Sequence, residues 1–344
     1  MSVGYVWDHS FLLHDTGPGH PERIERLEAI REALEAEQLF DQMQRVRARE
    51  VTSEEVLRAH SQRLLDSVLA ADGVPLTVFD ADTQACAETT AAALRAAGGA
   101  VDLARAVVRG DLKRGFSFGR PPGHHAERDR VMGFCYFNNV AIAALAMLEE
   151  EGLERIMIVD WDVHHGNGTQ DIFEDDPRVL FFSSHEAANY PGTGRVHEIG
   201  RDGAEGSTVN APMASLEGPD SYRYLFQEIV LPLARQFKPE LILLSAVYDA
   251  HRRDPLANIR LTTPGFAALA EDLVAVAEEV CGGRLVAVLE GGYDLTGLSE
   301  SVAATVKALL GQEQESEGNV NQASPMVHQL VNDIKQELKP YWTL

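Results

Sequence analysis

Cysteine, cationic side chains and long apolar runs are all scarce in this sequence. Its three cysteines, Cys86, Cys135 and Cys281, lie far apart and form no CxxC pair, which argues against a disulfide framework or a thiolate zinc cluster and fits a reducing cytoplasm. Lysine and arginine number 30 against 53 aspartates and glutamates, a formal net charge of −23. Such a balance repels phosphate backbones, so direct nucleic-acid binding is not expected, whereas a cationic substrate would be attracted over long range. A solvated acidic surface explains the same charge more simply. No segment offers the roughly 18 uninterrupted apolar residues of a membrane helix, and the first residues, MSVGYVWDHS, lack the basic and apolar regions of an export signal. The expectation is an unexported chain that does not enter a membrane.

What is present is alternation. Short apolar runs, each followed by Gly, Pro, Asp or His, are separated by segments of helical period, the pattern of an α/β fold with a mainly parallel sheet. The strands expected are Ile156 to Val159, Leu241 to Val247 and Leu285 to Leu289, with Phe116 to Phe118 and Val179 to Phe182 weaker in pattern. Helices are expected over Thr89 to Val108, Asn139 to Glu150, Ser221 to Gln236, Phe266 to Val280 and Ser301 to Leu310, long enough to be crossovers. A length of 344 residues fits two domains or one large α/β unit. The apolar pattern stops over residues 311–325, which read as a linker. Residues 326–344 form a tail with one amphipathic helix over Met326 to Leu338. That tail could dock or swap, which leaves a homo-oligomer open.

In open α/β sheets ligands gather beyond the carboxyl ends of the strands. Each expected strand here ends in polar groups. Arg120-Pro-Pro-Gly-His124-His125 follows Phe118, and Asp160-Trp-Asp162-Val-His164-His165-Gly-Asn167 follows Val159. Ser183-Ser184-His185 follows Phe182, Tyr248-Asp249-Ala-His251 follows Val247, and Glu290-Gly-Gly-Tyr293 follows Leu289. If the strands share a sheet, one rim collects several carboxylates and imidazoles, and a cation would offset their repulsion and desolvation. Asp162 and His164, two residues apart, with Asp249 make a three-ligand set that leaves a position for water. Oxygen and nitrogen donors without thiolate suit Zn²⁺, although Fe²⁺ or Co²⁺ would also fit. The tandem His124-His125 could take a proton from attacking water and protonate a leaving amine, and Tyr293 could donate to a developing oxyanion, which together imply amide hydrolysis. Singly, each has a plain structural explanation, such as a hydrogen-bonded core histidine, a helix-capping Asp or a Gly-Gly turn. Five coincident strand ends do not.

From about His20 to Leu310 the chain resembles the histone deacetylase family, which includes bacterial deacetylase-like proteins and acetylpolyamine amidohydrolases. The motifs that carry the resemblance are HPERIERL at the start, RPPGHHA at 120–126, GFCYFNN at 133–139, VDWDVHHGNGT at 159–169, YPGTG at 190–194, SAVYDAHRRDPL at 245–256 and LEGGYDL at 289–295. The resemblance implies a single arginase/deacetylase-like α/β domain over residues 1–310, in place of two domains, with an acylated amine chain reaching the metal through a narrow tunnel. It implies Asp162, His164 and Asp249 as zinc ligands, His124 and His125 as the tandem pair, and Tyr293 as the carbonyl-polarising phenol. Asp160 matches the carboxylate that pairs with His124. Asn167 stands where some members have an acid beside the second histidine, and a neutral partner should favour the His125 imidazolium less. A structural K⁺ is implied near the zinc, at Asp160, Asp162, His164, Ser183 and Ser184. Gly133 and Phe134 would form one tunnel wall. Tyr190 falls where many members place a second phenylalanine, adding a hydroxyl to an apolar slot. Val247-Tyr248 replaces the usual Gly-Phe before the metal aspartate.

For substrate, Leu256 matches a tunnel-mouth position where polyamine-preferring relatives carry an acid, which favours an acetylated lysine side chain. Asp80 or Asp82 could supply a rim carboxylate for a peptide backbone or distant amine, which keeps an acetylated polyamine open. Two other readings compete. An arginase-like two-metal hydrolase would need a second acidic ligand set and no Tyr293. A silent acyl-ligand-binding protein would have lost a ligand or the tyrosine.

Overall fold

The computed structural model describes residues 2–344. Among these described residues ten strands are present: β1 (Val3–Val6), β2 (Met43–Val46), β3 (Thr77–Val78), β4 (Gln84–Ala85), β5 (Arg114–Ser117), β6 (Ile156–Asp160), β7 (Val179–Glu186), β8 (Thr208–Met213), β9 (Leu241–Ala246) and β10 (Leu285–Leu289). Eight form one sheet in the order β2-β1-β5-β10-β9-β6-β7-β8, parallel throughout, while β3 and β4 make a small antiparallel hairpin. This is one arginase/deacetylase-like α/β domain, and it matches the sequence expectation of a mainly parallel sheet. The central strands are buried along their whole length, as expected of a sheet covered by helices on both faces.

Helices Thr89–Val108 and Asn139–Glu150 pack together, as do Glu25–Ala36, Thr263–Cys281 and Leu295–Leu310. Thr89–Val108 and Asn139–Glu150 match the sequence periodicity at both ends. The helix expected from Ser221 to Gln236 is interrupted. It runs as Pro219–Leu225, a π segment Phe226–Val230, and Leu231–Phe237, with the Leu231 N–H reaching back to Phe226 O. Pro232 lacks an N–H and cannot continue the regular ladder, which accounts for the change of pitch.

The five strands expected to carry chemistry, β5, β10, β9, β6 and β7, occupy five consecutive places in the sheet. Their carboxyl ends therefore open onto one rim. Segment 311–324 is irregular apart from a short 3-10 turn. Helix Pro325–Leu338 then packs on β8 and on helix Pro219–Leu225.

Candidate active site

The segment leaving β6 is turned by its own carboxylates. Asp160 Oδ1 accepts the Asp162 N–H at 3.0 Å, and Asp162 Oδ1 accepts the His164 N–H at 2.6 Å. Asp249, beyond β9, accepts the Val163 N–H at 2.9 Å. The result is that Asp162, His164 and Asp249 each offer a ligand atom, all within 4.8 Å of one another. His164 Nδ1 stands 2.9 Å from Asp162 Oδ1 and 3.1 Å from Asp249 Oδ2. Burial and the neighbouring carboxylates push Asp160 and Asp162 well above the usual carboxylate range. Burial opposes charge on His164, but the two carboxylates outweigh it and hold the imidazole up. The site demands positive charge, and its O, N, O donor set without thiolate fits a divalent cation. The bulk at Val247 and Tyr248 is absorbed behind it: both are fully buried, with Tyr248 against Trp161 and Phe266 and its hydroxyl 3.0 Å from Thr305 Oγ1.

The tandem histidines arrive from β5. His124 Nδ1 is 3.0 Å from Asp160 Oδ2 and its Nε2 is 3.2 Å from Asp162 Oδ2. His125 Nδ1 meets Asn167 Oδ1 at 2.7 Å. The two rings lie 4.0 Å apart, and burial holds both toward the neutral form. Glu290, buried at the end of β10, accepts the backbone N–H of His124 at 3.2 Å and also that of Gly123. Burial raises the Glu290 carboxyl to about 8.

Tyr293 lies across from them. A Cβ on Gly291 would come within 3.0 Å of the Tyr293 hydroxyl and 2.8 Å of Asp249 Oδ2, so only glycine lets the phenol stand beside the ligand set. Arg26 packs over the Tyr293 ring, 5.1 Å from its centroid, and donates through Nε to Gly292 O at 2.7 Å. Arg26 and Arg120 share the buried carboxylate of Glu22. Burial keeps the phenol well above its ordinary pKa despite the nearby Arg26, so it is a hydroxyl donor at neutral pH.

A cavity of about 230 Å³ is lined by Asp82, His125, Gly133, Phe134, His164, Tyr190, Leu256 and Tyr293. Gly133 and Phe134 both adopt positive φ, 58° and 67°, and a Cβ on Gly133 would lie 2.4 Å from the His125 ring. Phe134 is fixed by its N–H to Thr83 Oγ1 at 3.0 Å and by the edge of His20. Tyr190 presents its ring edge-on to His125 at 5.1 Å. Asp82, not Asp80, lines the cavity; Asp80 Oδ1 accepts the Asp82 N–H at 3.1 Å.

Ser183 pairs in register with Asp160 across β6 and β7, and its hydroxyl contacts His185 Nδ1 at 3.0 Å. The Ser184 hydroxyl is buried without a hydrogen-bond partner among the described residues. Sequence reasoning singled out neither Glu127, which holds the Asn167 amide at 2.7 Å, nor the supporting contacts of Glu290, Arg26 and Asp254, the last an acceptor for the Tyr293 N–H. All four lie inside or next to the motifs that drew attention, but long-range partners have no local signal.

Residues 20–309 match the family model described as the histone deacetylase domain. Histone deacetylase 14, chloroplastic, of Arabidopsis thaliana is 41% identical over 325 residues, spanning 90% of this chain and 77% of that protein. A probable deacetylase of Archaeoglobus fulgidus is 42% identical over 299 residues, spanning 86% and 83%. The crystal structure of the HDA15 HD domain superposes with a TM-score of 0.93 at 38% identity, covering 99% of this chain and 95% of that one.

Proposed function

Because the chain belongs to the histone deacetylase family, we propose that it is a zinc-dependent deacetylase that cleaves the amide of an acetylated lysine side chain. The observation that carries this reading is the cavity itself. It runs between Phe134 and Tyr190 and brings together His164 of the ligand set, His125 and Tyr293. Asp162, His164 and Asp249 would hold the zinc, which when bound polarises the acyl carbonyl and makes water more acidic. Asp160, Asp162, His164, Ser183 and Ser184 would hold a structural K⁺, for which the partnerless Ser184 hydroxyl is support.

His125 is placed to act as base. Glu127 takes the Asn167 Nδ2–H, which turns Asn167 Oδ1 toward His125 Nδ1 and assigns the proton there. Nε2 is left free to accept a proton from water and return it to the leaving amine. His124 has Asp160 at Nδ1 and Asp162 at Nε2, and burial holds it toward the neutral form beside His125. The Tyr293 hydroxyl donates to the oxyanion as it forms.

The apolar Leu256 at the mouth favours a lysine side chain, whereas Asp82 on the wall supports an acetylated polyamine as the second reading. A two-metal arginase-like reaction lacks its second acidic ligand set: among the described residues only Asp162, His164 and Asp249 form such a cluster. A silent binding protein would not need both Tyr293 and the full triad. Three free thiols fit a reducing compartment such as the cytoplasm, and among the described residues no helix is long and apolar enough to cross a membrane. The decisive experiment is deacylation by the zinc-loaded protein of acetyl-lysine peptide, acetylputrescine and acetylspermidine, each with a chelator control. Peptide turnover abolished by chelation is expected. Faster turnover of an acetylpolyamine would reverse the substrate assignment, and no turnover of any would end the proposal.

A further inference from the structure

One carboxylate outside the ligand set holds two walls of the cavity at once. Asp254 lies beyond β9 on the loop that carries Asp249 and is 6% exposed. Its Oδ2 accepts the backbone N–H of Tyr293 at 2.6 Å and that of Asp294 at 3.2 Å, and its Oδ1 accepts that of Leu256 at 3.1 Å. Tyr293 and Leu256 both line the cavity. Burial, with Asp249 nearby, raises the Asp254 carboxyl to about 7 against the three N–H donors that lower it, so it is the acceptor geometry at both oxygens that ties the two segments together. Its own backbone is fixed, because its N–H donates to His251 O at 2.8 Å and Pro255 restricts it from the other side.

The loop it holds needs such an anchor. Tyr293 follows Gly291 and Gly292, the latter at φ 116°, and glycines restrict the backbone least. Arg26 grips this loop at the Gly292 carbonyl and Asp254 at the Tyr293 N–H of the same peptide, and Asp254 also holds the Asp294 N–H of the next one. Fixing both sides of one residue fixes where its hydroxyl falls, and misplacing a reacting group by about 1 Å costs on the order of 10²-fold in rate.

We propose that Asp254 is a positioning residue that sets the Tyr293 hydroxyl, and the Leu256 rim with it, without touching the substrate. The inference rests on the role proposed above for Tyr293. Asparagine cannot replace Asp254, because one of its two terminal atoms would be an NH₂ facing an N–H donor. The test is a double-substitution cycle on acetyl-lysine peptide, with zinc content measured in each variant. Asp254→Asn should lower kcat about tenfold or more in the wild-type background and less than about twofold in Tyr293→Phe, where no hydroxyl is left to misplace. Equal fractional losses in both backgrounds would mark Asp254 as merely structural and overturn the proposal. No loss in the wild-type background would do the same. If Tyr293→Phe alone leaves kcat unchanged, it is the role of the phenol that fails. Hydrogen exchange on the unsubstituted protein tests the clamp without any variant having to fold: protected Tyr293 and Asp294 amides are expected, and unprotected exchange there overturns it.

Discussion

His125 Nδ1 stands 2.7 Å from Asn167 Oδ1, an amide rather than a carboxylate. Asn167 is itself held by Glu127 at 2.7 Å, so the relay ends in a carboxylate one residue removed. Moving that charge next to the imidazole should favour its protonated form. Asn167→Asp combined with Glu127→Gln, whose amide can donate to the new carboxylate, should shift the acidic limb of the kcat/KM profile upward by about one pH unit or more. A limb that stays in place would remove His125 as the titrating base.

The phenol and the ligand set are separable. Tyr293→Phe deletes a hydroxyl that hydrogen-bonds to none of Asp162, His164 and Asp249, so zinc content should stay stoichiometric while kcat falls by roughly 10²-fold or more. Wild-type turnover would refute the donor role.

Asp249 offers both a ligand atom and the acceptor for the Val163 N–H that shapes the turn between Asp162 and His164. Asp249→Ala should therefore lose zinc and activity together, as read by metal analysis of the purified protein. Full zinc occupancy would break the ligand assignment.

The rim was legible in the sequence because each of its strands ends in a run of polar residues, and the sheet then places those strands side by side. Thr89–Val108 and Asn139–Glu150 were legible because each is a long run of apolar, alanine-rich helix formers without proline. Strands β1, β2 and β8 were not anticipated. β1 and β2 are four residues each, too short for a period to show, and β8 carries Asn210 and Pro212 within its run. The rim residue Asp82 was left unseparated from Asp80 because two acids two residues apart are told apart only once the loop is folded. Glu127, Glu290 and Asp254 act on partners 40, 167 and 39 residues away, beyond any local pattern.

The C-terminal helix should stabilise the domain rather than hang from it. Val327, Val331, Ile334 and Leu338 are buried, Ser324 caps the helix at the Val327 N–H, and Trp342 Nε1 donates to Gly206 O at 2.8 Å. Four apolar side chains at about 1.5 to 3 kcal/mol each set an upper bound of about 12 kcal/mol, less what the unfolded chain already buries. Removing residues 325–344 should lower the urea midpoint clearly, while activity per folded molecule is retained because none of them lines the cavity. An unchanged midpoint would show a detached tail.

Stability should also fall with acid in a way traceable to His60. This side chain is 3% exposed, its Nδ1–H donates to Glu127 O at 2.8 Å, and its Nε2 accepts the Asn138 N–H at 2.9 Å. Nε2 cannot take a proton without losing that bond, and burial lowers the imidazole from 6.5 to about 4. The unfolded chain thus binds the proton more readily than the folded one. The stabilisation is complete above pH 6.5 and is lost as the pH falls toward 4, by about 2 kcal/mol at pH 5 and about 3 kcal/mol in full. His60→Gln removes the titration but not the other buried histidines, so the stability gap between wild type and variant in urea should narrow by about 2 kcal/mol between pH 7.5 and pH 5. A gap that stays constant would mean His60 gains its proton equally in both states, and the hydrogen bond from Asn138 would not be holding it neutral.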